Sequence, residues 1–476
     1  MTRMRKIRLA LLVFGTSICV AAQNSPEPQP QSQPVTTPAP AFGQNAPVLN
    51  PENPPVSGLD EPGLDLHPAT RSFISPALQV SESADTNSGN QLGNSGLDSI
   101  TRVLGAVDVQ QFWPKSDLFF EYLGGGAFYA NPYDAKQLHA AGLEAVTRWR
   151  TGQVTLRDSF SYLPDGSFQV GFGGDPGLGL TSGGMGTGGA GGGLPGSHPF
   201  GSGQFGSIGN IPRLANTAML DAVQALSPVS AVTVAGGFSN AHFYDPSNTL
   251  INSDQITAQG GYSHLLSRHD QIGVIYGFQL FQFPQDTGGQ IYNHIINVRW
   301  SHTLTGRMSL VAGVGPQYTD MQLGGSLTNW SLSGRVQLRY KLSHSSIVVS
   351  YEKFTSAGSG FFAGASTQAA RLGFTRPLGR TWEFYGDLNY SHNSKLQPTN
   401  LGVTNASSYD EGSAGAVFRK HLGRSYDFLA VYRFSEMGFN VPPNVPGCPN
   451  GNCGRISQRH VGSIGVEWHP KPTRIE

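Results

Sequence analysis

Two residues with the types and spacing for nucleophilic chemistry lie late in the chain. His392 and Ser394 are two positions apart, so on a β-strand both side chains would lie on one face, where a histidine can activate a serine. The same spacing recurs at His344 and Ser346, which shows how little specificity it has. A hydrolytic site would also need an acidic residue clustered with the pair, and the sequence identifies none. We therefore predict that the protein is not an enzyme.

The other chemical motifs are weaker. The segment Gly201–Gly206 matches the letters of a dinucleotide-binding turn, but no strand precedes it and no acidic partner follows at the needed distance. The 13 histidines are scattered without a metal-ligand pattern. Cys448 and Cys453 flank a short polar segment; in an exported chain we predict a local disulfide, because a metal site would need more ligands. No cofactor and no metal are predicted.

The N-terminus indicates export. A basic stretch with Arg3 and Arg8 at its ends precedes an apolar run from Leu9 to Val20, and small residues end at Ala22. This pattern predicts a signal peptide over residues 1–22, because the apolar run is too short to span a bilayer. A lipoprotein signal at Cys19 is disfavoured by the preceding isoleucine. Without the four basic residues of this segment, 27 basic and 31 acidic residues remain, a charge of −4, which argues against a nucleic-acid partner.

A recurring turn determines how the rest of the chain is organised. Six short turns begin with Leu226, Leu266, Leu304, Leu342, Leu378 and Leu422, which are 40, 38, 38, 36 and 44 residues apart. Each interval contains two long segments of alternating apolar and polar residues with a looser connection between them. Long hairpins with short turns on one side and long loops on the other are typical of a transmembrane β-barrel. A β-propeller has a similar period but needs four short strands in each repeat.

We predict about 16 antiparallel strands in an all-β, up-and-down barrel over residues 117–469. The segment from Trp330 to Tyr340 alternates most clearly, with apolar residues or glycine at even positions. Residues 215–226 are rich in alanine and fit a helix as well as a strand; a strand preserves the alternation of short and long connections. An even strand count places both termini on the short-turn side, which is the periplasmic side of such barrels.

The segments outside the strands differ in composition. Residues 23–95 are rich in Pro, Gln and Ser and are predicted to be a disordered periplasmic tether. In residues 96–116, apolar side chains at helical spacing favour a short helix, with a poorly ordered segment before the first strand as the alternative. Residues 163–214 form a glycine-rich loop, either mobile or folded into the lumen. Residues 470–476 form a short periplasmic tail.

Tryptophans lie near the ends of predicted strands, as in the aromatic girdles of membrane barrels: Trp149, Trp300, Trp330, Trp382 and Trp468. With the signal peptide and the strand pattern, the chain resembles a Gram-negative outer-membrane porin-like β-barrel. The resemblance implies location in the cell outer membrane, contact with outer-membrane lipid, and insertion by the barrel-assembly machinery. The chain departs from such barrels because residues 469–476 follow the last aromatic residue.

Alternation along the strands assigns charged side chains to the lumen. A basic wall is predicted from Arg299, Arg335, Arg339 and Arg371, and an acidic arc from Glu121, Glu144, Glu383, Asp387 and Glu467. Opposed rows of this kind would create a transverse field that sorts polar solutes. The alternative is that these charges pair with one another and fill the barrel.

Two functional hypotheses follow. The first is a porin-like channel for passive diffusion of small polar solutes, without a cofactor. The second is a non-conducting barrel that anchors surface loops for binding or adhesion, with residues 394–406 and 439–454 as the binding loops. A plugged lumen would favour the second hypothesis, and a pore lined by charges would favour the first. The sequence leaves open whether the protein forms a homo-oligomer.

Overall fold

The fold is built entirely from β-strands in the described part of the chain. The computed structural model describes residues 72–88, 96–130, 133–163, 212–244, 250–284, 289–322, 325–358, 360–396, 406–440, 456–471 and 473–474. The strands are β1 (Phe73–Asp85), β2 (Asp98–Phe112), β3 (Ser116–Ala130), β4 (Tyr133–Trp149), β5 (Gly152–Leu163), β6 (Arg213–Ser227), β7 (Ser230–Phe243), β8 (Ser253–Leu265), β9 (Asp270–Phe283), β10 (Gly289–Thr305), β11 (Met308–Gln322), β12 (Ser326–Lys341), β13 (Ser346–Ser356), β14 (Ala365–Pro377), β15 (Trp382–Lys395), β16 (Ser408–His421), β17 (Tyr426–Asn440), β18 (Ile456–Trp468) and β19 (Thr473–Arg474). No helix in these residues is long and apolar enough to cross a membrane.

The first 18 strands close into a barrel. Each pairs antiparallel with the next strand along the chain, and β1 pairs with β18 from Leu78↔Trp468 to Asp85↔Val461. The two-residue β19 lies outside this ring and pairs with the beginning of β1. An all-β, up-and-down antiparallel barrel is therefore confirmed. Because the barrel closes, the backbone N–H and C=O groups of β1 and β18 can hydrogen-bond to each other, whereas in an open sheet these strands would form unpaired edges.

The side chains have an inverted distribution relative to a water-soluble protein. In β18, exposure alternates strictly along 13 residues. The outward positions include Ile464, which is 58% exposed, whereas the inward Arg459 is 3% exposed and Glu467 is 1% exposed. Exposed leucine, valine, isoleucine and aromatic side chains recur on the outward positions of the other strands. An apolar outer surface around a polar interior is expected of a barrel surrounded by lipid. In such a barrel the apolar side chains are buried against lipid acyl chains and not in a protein core.

The leucine turns all lie at one end of the barrel and so distinguish it from the other end. The six predicted turns join β6–β7, β8–β9, β10–β11, β12–β13, β14–β15 and β16–β17, all at the same end. We call this the turn end and the opposite rim the loop end. In three of these turns the leucine N–H donates to the carbonyl four residues later, as in Leu266 to Asp270 at 2.9 Å. The turns therefore close each hairpin with backbone bonds, and the leucines mark true strand connections.

Two turn glycines adopt a backbone conformation that other residues avoid. Gly379 has φ of 89° and Gly423 has φ of 85°, and a Cβ added at either position would meet nothing within 4 Å. Gly379→Ala should therefore destabilise the barrel by about 1 kcal/mol through backbone strain alone. Urea titration monitored by circular dichroism measures the change. Gly306→Ala is the matched control, because Gly306 has equal space and no positive φ; equal losses in both variants would contradict the prediction.

The predicted count of 16 strands is wrong, and the barrel has 18. The prediction of a helix or a poorly ordered segment in residues 96–116 fails because Asp98–Phe112 form β2. Its helical spacing has a physical origin: apolar side chains occupy both faces of the strand. Ile100 and Leu104 face inward and are 0% and 1% exposed, while Val103 faces outward and is 39% exposed. Two alternating apolar rows together imitate a helical period.

The predicted tether, residues 23–95, also contains a barrel strand. Phe73–Asp85 form β1, which pairs with β2 along its whole length. Pro76 lies between the short ladder to β19 and the ladder to β18, which begins at Leu78. A proline is tolerated there because no neighbouring strand requires its missing N–H. In the predicted tail, Thr473 and Arg474 form β19. The ambiguous residues 215–226 belong to a strand, β6.

Several predicted features lie outside the described residues. These are the signal peptide over residues 1–22, residues 23–71 of the tether, nearly all of the glycine-rich loop, the Cys448–Cys453 disulfide, and most of the two candidate binding loops. Each of them stays a prediction.

One ladder of the barrel is incomplete. Within the described chain, β12 pairs with β13 only from Gly334↔Lys353 to Lys341↔Ser346, so residues 326–333 of β12 pair with β11 alone. The last residues of β13 continue to pair with β14 as far as Ser356↔Ala365. Phe354 and Thr355 are 2% and 1% exposed, and Thr355 is hydrogen-bonded to Gln317, two strands away on β11. The loop-end part of the β13–β14 hairpin therefore leaves the barrel wall and enters the lumen.

Candidate functional site

The lumen is the candidate functional site, and one strand connection folds into it at the loop end. Residues 357–364 join β13 to β14, and we call them the inner loop; Ser359 is outside the described residues. Gly358, Gly360 and Gly364 have φ of 93°, 80° and 83°. Such values are accessible to glycine at little cost, so these three glycines allow the chain to reverse within the lumen.

Backbone hydrogen bonds hold the inner loop against the barrel wall. Ile251 N–H, just before β8, donates to the Gly360 carbonyl at 2.8 Å. Leu396 N–H, just after β15, donates to the Gly364 carbonyl at 3.4 Å. A Cβ on Gly364 would lie 2.4 Å from the Ile291 side chain. The loop thus contacts several parts of the wall closely and leaves no room for larger side chains.

Two adjacent phenylalanines anchor the inner loop in an apolar cluster. Phe361 and Phe362 are both fully buried. The ring of Phe361 contacts those of Tyr409 and Phe439 edge to face, with centroids 5.3 Å apart in both pairs. The whole cluster comprises Ala241, Phe243, Leu250, Phe361, Phe362, Ala365, Ala406, Tyr409, Met437 and Phe439.

This cluster bridges the lumen. Phe243 ends β7 and Tyr409 begins β16; nine places separate these strands in a ring of 18, so they lie on opposite sides of the barrel. A second cluster, with Phe281, Met321 and Ala363 among its members, packs against the other side of the inner loop. In the described residues, apolar side chains therefore extend across the lumen at its loop end.

On the turn-end side of the apolar cluster, several predicted acidic residues form ion pairs. Glu144 accepts from Arg157 at 3.0 Å, and Arg157 also contacts Asp221 at 3.1 Å. Asp387 accepts from Arg433 at 3.0 Å. These side chains come from β4–β6 and from β15 and β17, so the pairs link strands that are not all neighbours. Cross-strand bonding of this kind compensates part of the cost of burying the charges.

The ion pairs continue near the junction of the first and last strands. Glu467 accepts from Arg419 at 3.0 Å, and Arg419 also contacts Asp427 at 3.1 Å. Glu383 lies 3.7 Å from the ring of His421. Glu121 lies directly opposite Asp108 on the neighbouring β2, so two carboxyl groups face each other there. The predicted acidic arc is therefore a mixed region in which most carboxylates have arginine partners.

The predicted basic residues lie on a different part of the wall. Arg299 on β10 and Arg335 on β12 flank Gly313, which lies between them on β11. A Cβ on Gly313 would come within 3.0 Å of the Arg299 side chain, so the glycine leaves space for that arginine to cross the strand. Arg339 is four residues nearer the turn end than Arg335. Arg371, on β14, is 3.5 Å from Glu352, an acidic partner that sequence analysis missed.

The two parts of the lumen differ in charge. Among the described residues of β7–β12, three arginines and no carboxylates occupy inward positions, namely Arg299, Arg335 and Arg339. Inward positions on these strands are otherwise filled largely by neutral groups such as Gln279 and Asn293, which hydrogen-bond to each other at 2.6 Å. The remaining wall contains all the inward carboxylates. This uneven distribution would create a field across the lumen.

Sequence analysis missed several charged residues of the lumen. Arg459 alternates in phase with Glu467 on β18, so periodicity alone could have identified it. Asp85 and Arg102 could not be found in the same way, because they lie on β1 and β2, which were not predicted as strands. The inward aromatic residues were also missed. Phe281 and Phe283 violate the apolar-out pattern of β9, and that violation is their only sequence signal.

The five predicted girdle tryptophans all point away from the lumen. Trp149, Trp300, Trp382 and Trp468 lie toward the turn end, and Trp330 lies toward the loop end. Trp330 is the most exposed of them, at 70%. Their placement is compatible with contact with a membrane interface.

Comparison with known proteins gives structural neighbours but no family. No protein-family profile matches the sequence, and no curated protein matches it. Pseudomonas aeruginosa OccK2 (OpdF) is similar with a TM-score of 0.40 and 10% identity, over 84% of this chain and 99% of that protein. Acinetobacter baumannii OccAB4 gives a TM-score of 0.40 and 6% identity, over 85% and 100%. The FrpB iron transporter from Neisseria meningitidis gives 0.39 and 9%, over 84% and 83%.

Proposed function

We propose that this barrel is a porin-like channel of the outer membrane for small polar solutes, narrowed at its loop end by the inner loop. The observation that carries the proposal is the inverted side-chain distribution, with apolar residues outside and arginines and carboxylates inside. A lumen lined by charged side chains can replace part of a solute's hydration shell during passage. The outer membrane is the membrane in which antiparallel barrels of this kind occur.

The charge distribution supports selection of anionic solutes. Arg299, Arg335 and Arg339 lie on β10 and β12; no carboxylate faces inward in the described residues of β7–β12, and Glu352 on the adjacent β13 lies opposite Arg335. Arg335 and Arg371 are partly accessible, unlike the fully buried polar residues elsewhere in the lumen. An anion that passes along this wall would interact with several guanidinium groups in succession, as required for binding that is favourable but reversible.

The test is single-channel conductance of the refolded mature protein in a planar bilayer at several salt concentrations. We expect conductance steps that scale with salt and a preference for anions. Arg335→Ala should lower the anion-to-cation permeability ratio by roughly two- to threefold, because one of the three inward arginines of β7–β12 is removed. Lys420→Ala is a control, since Lys420 faces outward over the Trp382 ring. Equal permeability ratios in wild type and Arg335→Ala would contradict the selectivity proposal.

A second candidate function is favoured by the apolar cluster itself. Phe361 and the residues around it bridge the lumen, and a barrel closed in this way could serve as an anchor for surface loops. The same bilayer experiment separates the two functions. Absence of steps from a verified folded barrel would remove the open channel and leave the anchor.

A further inference from the structure

A serine, a histidine and an aspartate are hydrogen-bonded in series on the outer face of the barrel. Ser394 Oγ is 2.9 Å from His392 Nε2. His392 Nδ1 is 2.7 Å from Asp410 Oδ1. Ser394 and His392 lie two residues apart near the loop end of β15, and Asp410 lies opposite His392 on β16. The strand pairing thus supplies the acidic partner that sequence analysis could not identify.

The order of these bonds defines the proton positions. A carboxylate can only accept, so the proton between Asp410 and His392 resides on Nδ1. In the neutral ring Nε2 is then the acceptor, and the Ser394 hydroxyl donates to it. This is the arrangement in which a histidine acts as general base toward a serine nucleophile and a carboxylate orients the imidazole.

The aspartate is held in place by further donors. Tyr390 OH donates to Asp410 Oδ1 at 2.8 Å. Asn440 Nδ2, on β17, donates to Asp410 Oδ2 at 3.3 Å and to Ser408 Oγ at 3.0 Å. These bonds fix the carboxylate from two neighbouring strands. His392 and Asp410 nevertheless remain accessible, with side chains 32% and 38% exposed, so a substrate could reach the site from outside the barrel.

We propose that Ser394, His392 and Asp410 form an acyl-ester hydrolase site that acts on membrane lipids. Along the outward face of β15, apolar Leu388 is followed by Tyr390, which is 52% exposed, and then by His392 and Ser394. This change from apolar to aromatic to polar marks the boundary between the acyl chains and the headgroups. The ester bonds of glycerolipids lie at that boundary. The substrate class is therefore an acyl ester of a bilayer lipid.

The reaction requires only water as co-substrate. Ser394 Oγ attacks the ester carbonyl carbon while its proton passes to His392 Nε2. The bond from the carbonyl carbon to the alcohol oxygen then breaks, and the imidazolium returns the proton to that oxygen, which leaves an acyl-serine and a free alcohol. Water attacks the acyl-serine with His392 again as the base, releasing the fatty acid and restoring Ser394.

Two further serines lie beside Ser394 on the neighbouring strands. Ser366 on β14 and Ser408 on β16 lie directly opposite Ser394 in the strand register. Both can donate a hydrogen bond, and donors aimed at the developing oxyanion are a principal source of rate enhancement in acyl transfer.

Another serine–histidine pair provides a matched control. Ser230 Oγ is 2.8 Å from His264 Nδ1 on the outer face near the turn end, but the second donor to Ser230 is a tyrosine hydroxyl, Tyr262, at 3.1 Å. No described aspartate or glutamate bonds to His264, so this pair lacks the orienting carboxylate.

The experiment uses the full mature chain, folded in vesicles of phosphatidylethanolamine and phosphatidylglycerol. A fluorophosphonate probe should label the wild type at Ser394, located by peptide mass mapping, and fatty acid should be released from the vesicles. Ser394→Ala should lose both signals by at least about 100-fold, and Asp410→Asn should lower both while the barrel stays folded. Ser230→Ala should retain both.

The outcomes are decisive in each direction. Equal labelling of wild type and Ser394→Ala, in protein shown by gel shift to be folded, would overturn the proposal. Labelling at Ser394 without release of fatty acid would overturn the lipid ester as substrate. Labelling at Ser394 with release that depends on Asp410 supports it. None of these results depends on conductance, so the channel proposal and this one succeed or fail separately.

Discussion

Replacing both Phe361 and Phe362 with serine should raise the single-channel conductance at least roughly threefold, because the apolar contact across the lumen would be replaced by polar groups that admit water. Both side chains are fully buried; the Phe361 ring contacts those of Tyr409 on β16 and Phe439 on β17, and the Phe362 ring contacts that of Tyr409. The strand ladders do not pass through the inner loop, so the barrel should remain closed. Planar-bilayer recording at fixed salt measures the change.

The matched control for this experiment is an inward aromatic residue outside the cluster. Phe119 packs against Phe112 near the turn end, with ring centroids 5.5 Å apart. Phe119→Ser removes an aromatic ring from the interior without touching the inner loop, and conductance should change little. If both variants conduct like the wild type, the inner loop is not the constriction, and the assignment of the apolar cluster as the barrier is wrong.

Asp85→Ala should destabilise the barrel by about 3–5 kcal/mol, because it leaves a buried arginine without its counter-charge. Asp85 is completely buried at the loop end of β1, and Arg459 on β18 is 3% exposed. Arg459 Nε donates to both carboxylate oxygens of Asp85 at 3.0 Å. The pair joins the first strand to the last, at the point where the ring closes. Urea titration with tryptophan fluorescence measures the loss.

A double variant separates the cost of an unpaired charge from the value of the pair. Asp85→Asn combined with Arg459→Met removes both charges, and we expect it to recover most of the stability lost in Asp85→Ala. If Asp85→Ala unfolds at the wild-type urea concentration, the Asp85–Arg459 pair contributes nothing to the stability of the closed ring.

Local sequence was sufficient to identify the architecture because each strand has lipid on one face and the polar lumen on the other. These two surroundings impose an alternation of apolar and polar residues with period two. Outward positions must be apolar to contact lipid, and inward positions are free to be polar. The pattern is clear in β12 and β18, where few inward residues are apolar. It fails in β2, where Leu104 packs inward in a cluster with Leu123 and Leu138. Ile100 also points inward and packs with Ala127 and Tyr129. In β1 the pattern is present, with Ile74, Leu78 and Val80 outward and polar side chains inward, but the Pro-, Gln- and Ser-rich composition of residues 23–95 concealed it.

The sequence by itself thus determined the strand alternation, the positions of the short turns and the inward side of the charged residues. Tertiary structure alone decided which strands meet, because register between strands is not encoded in the periodicity of either one. The register brings Asp410 beside His392, Asp85 beside Arg459 and the inner loop against the opposite wall. These contacts join residues 18 to more than 300 positions apart, and no local rule relates such distant positions before the barrel closes.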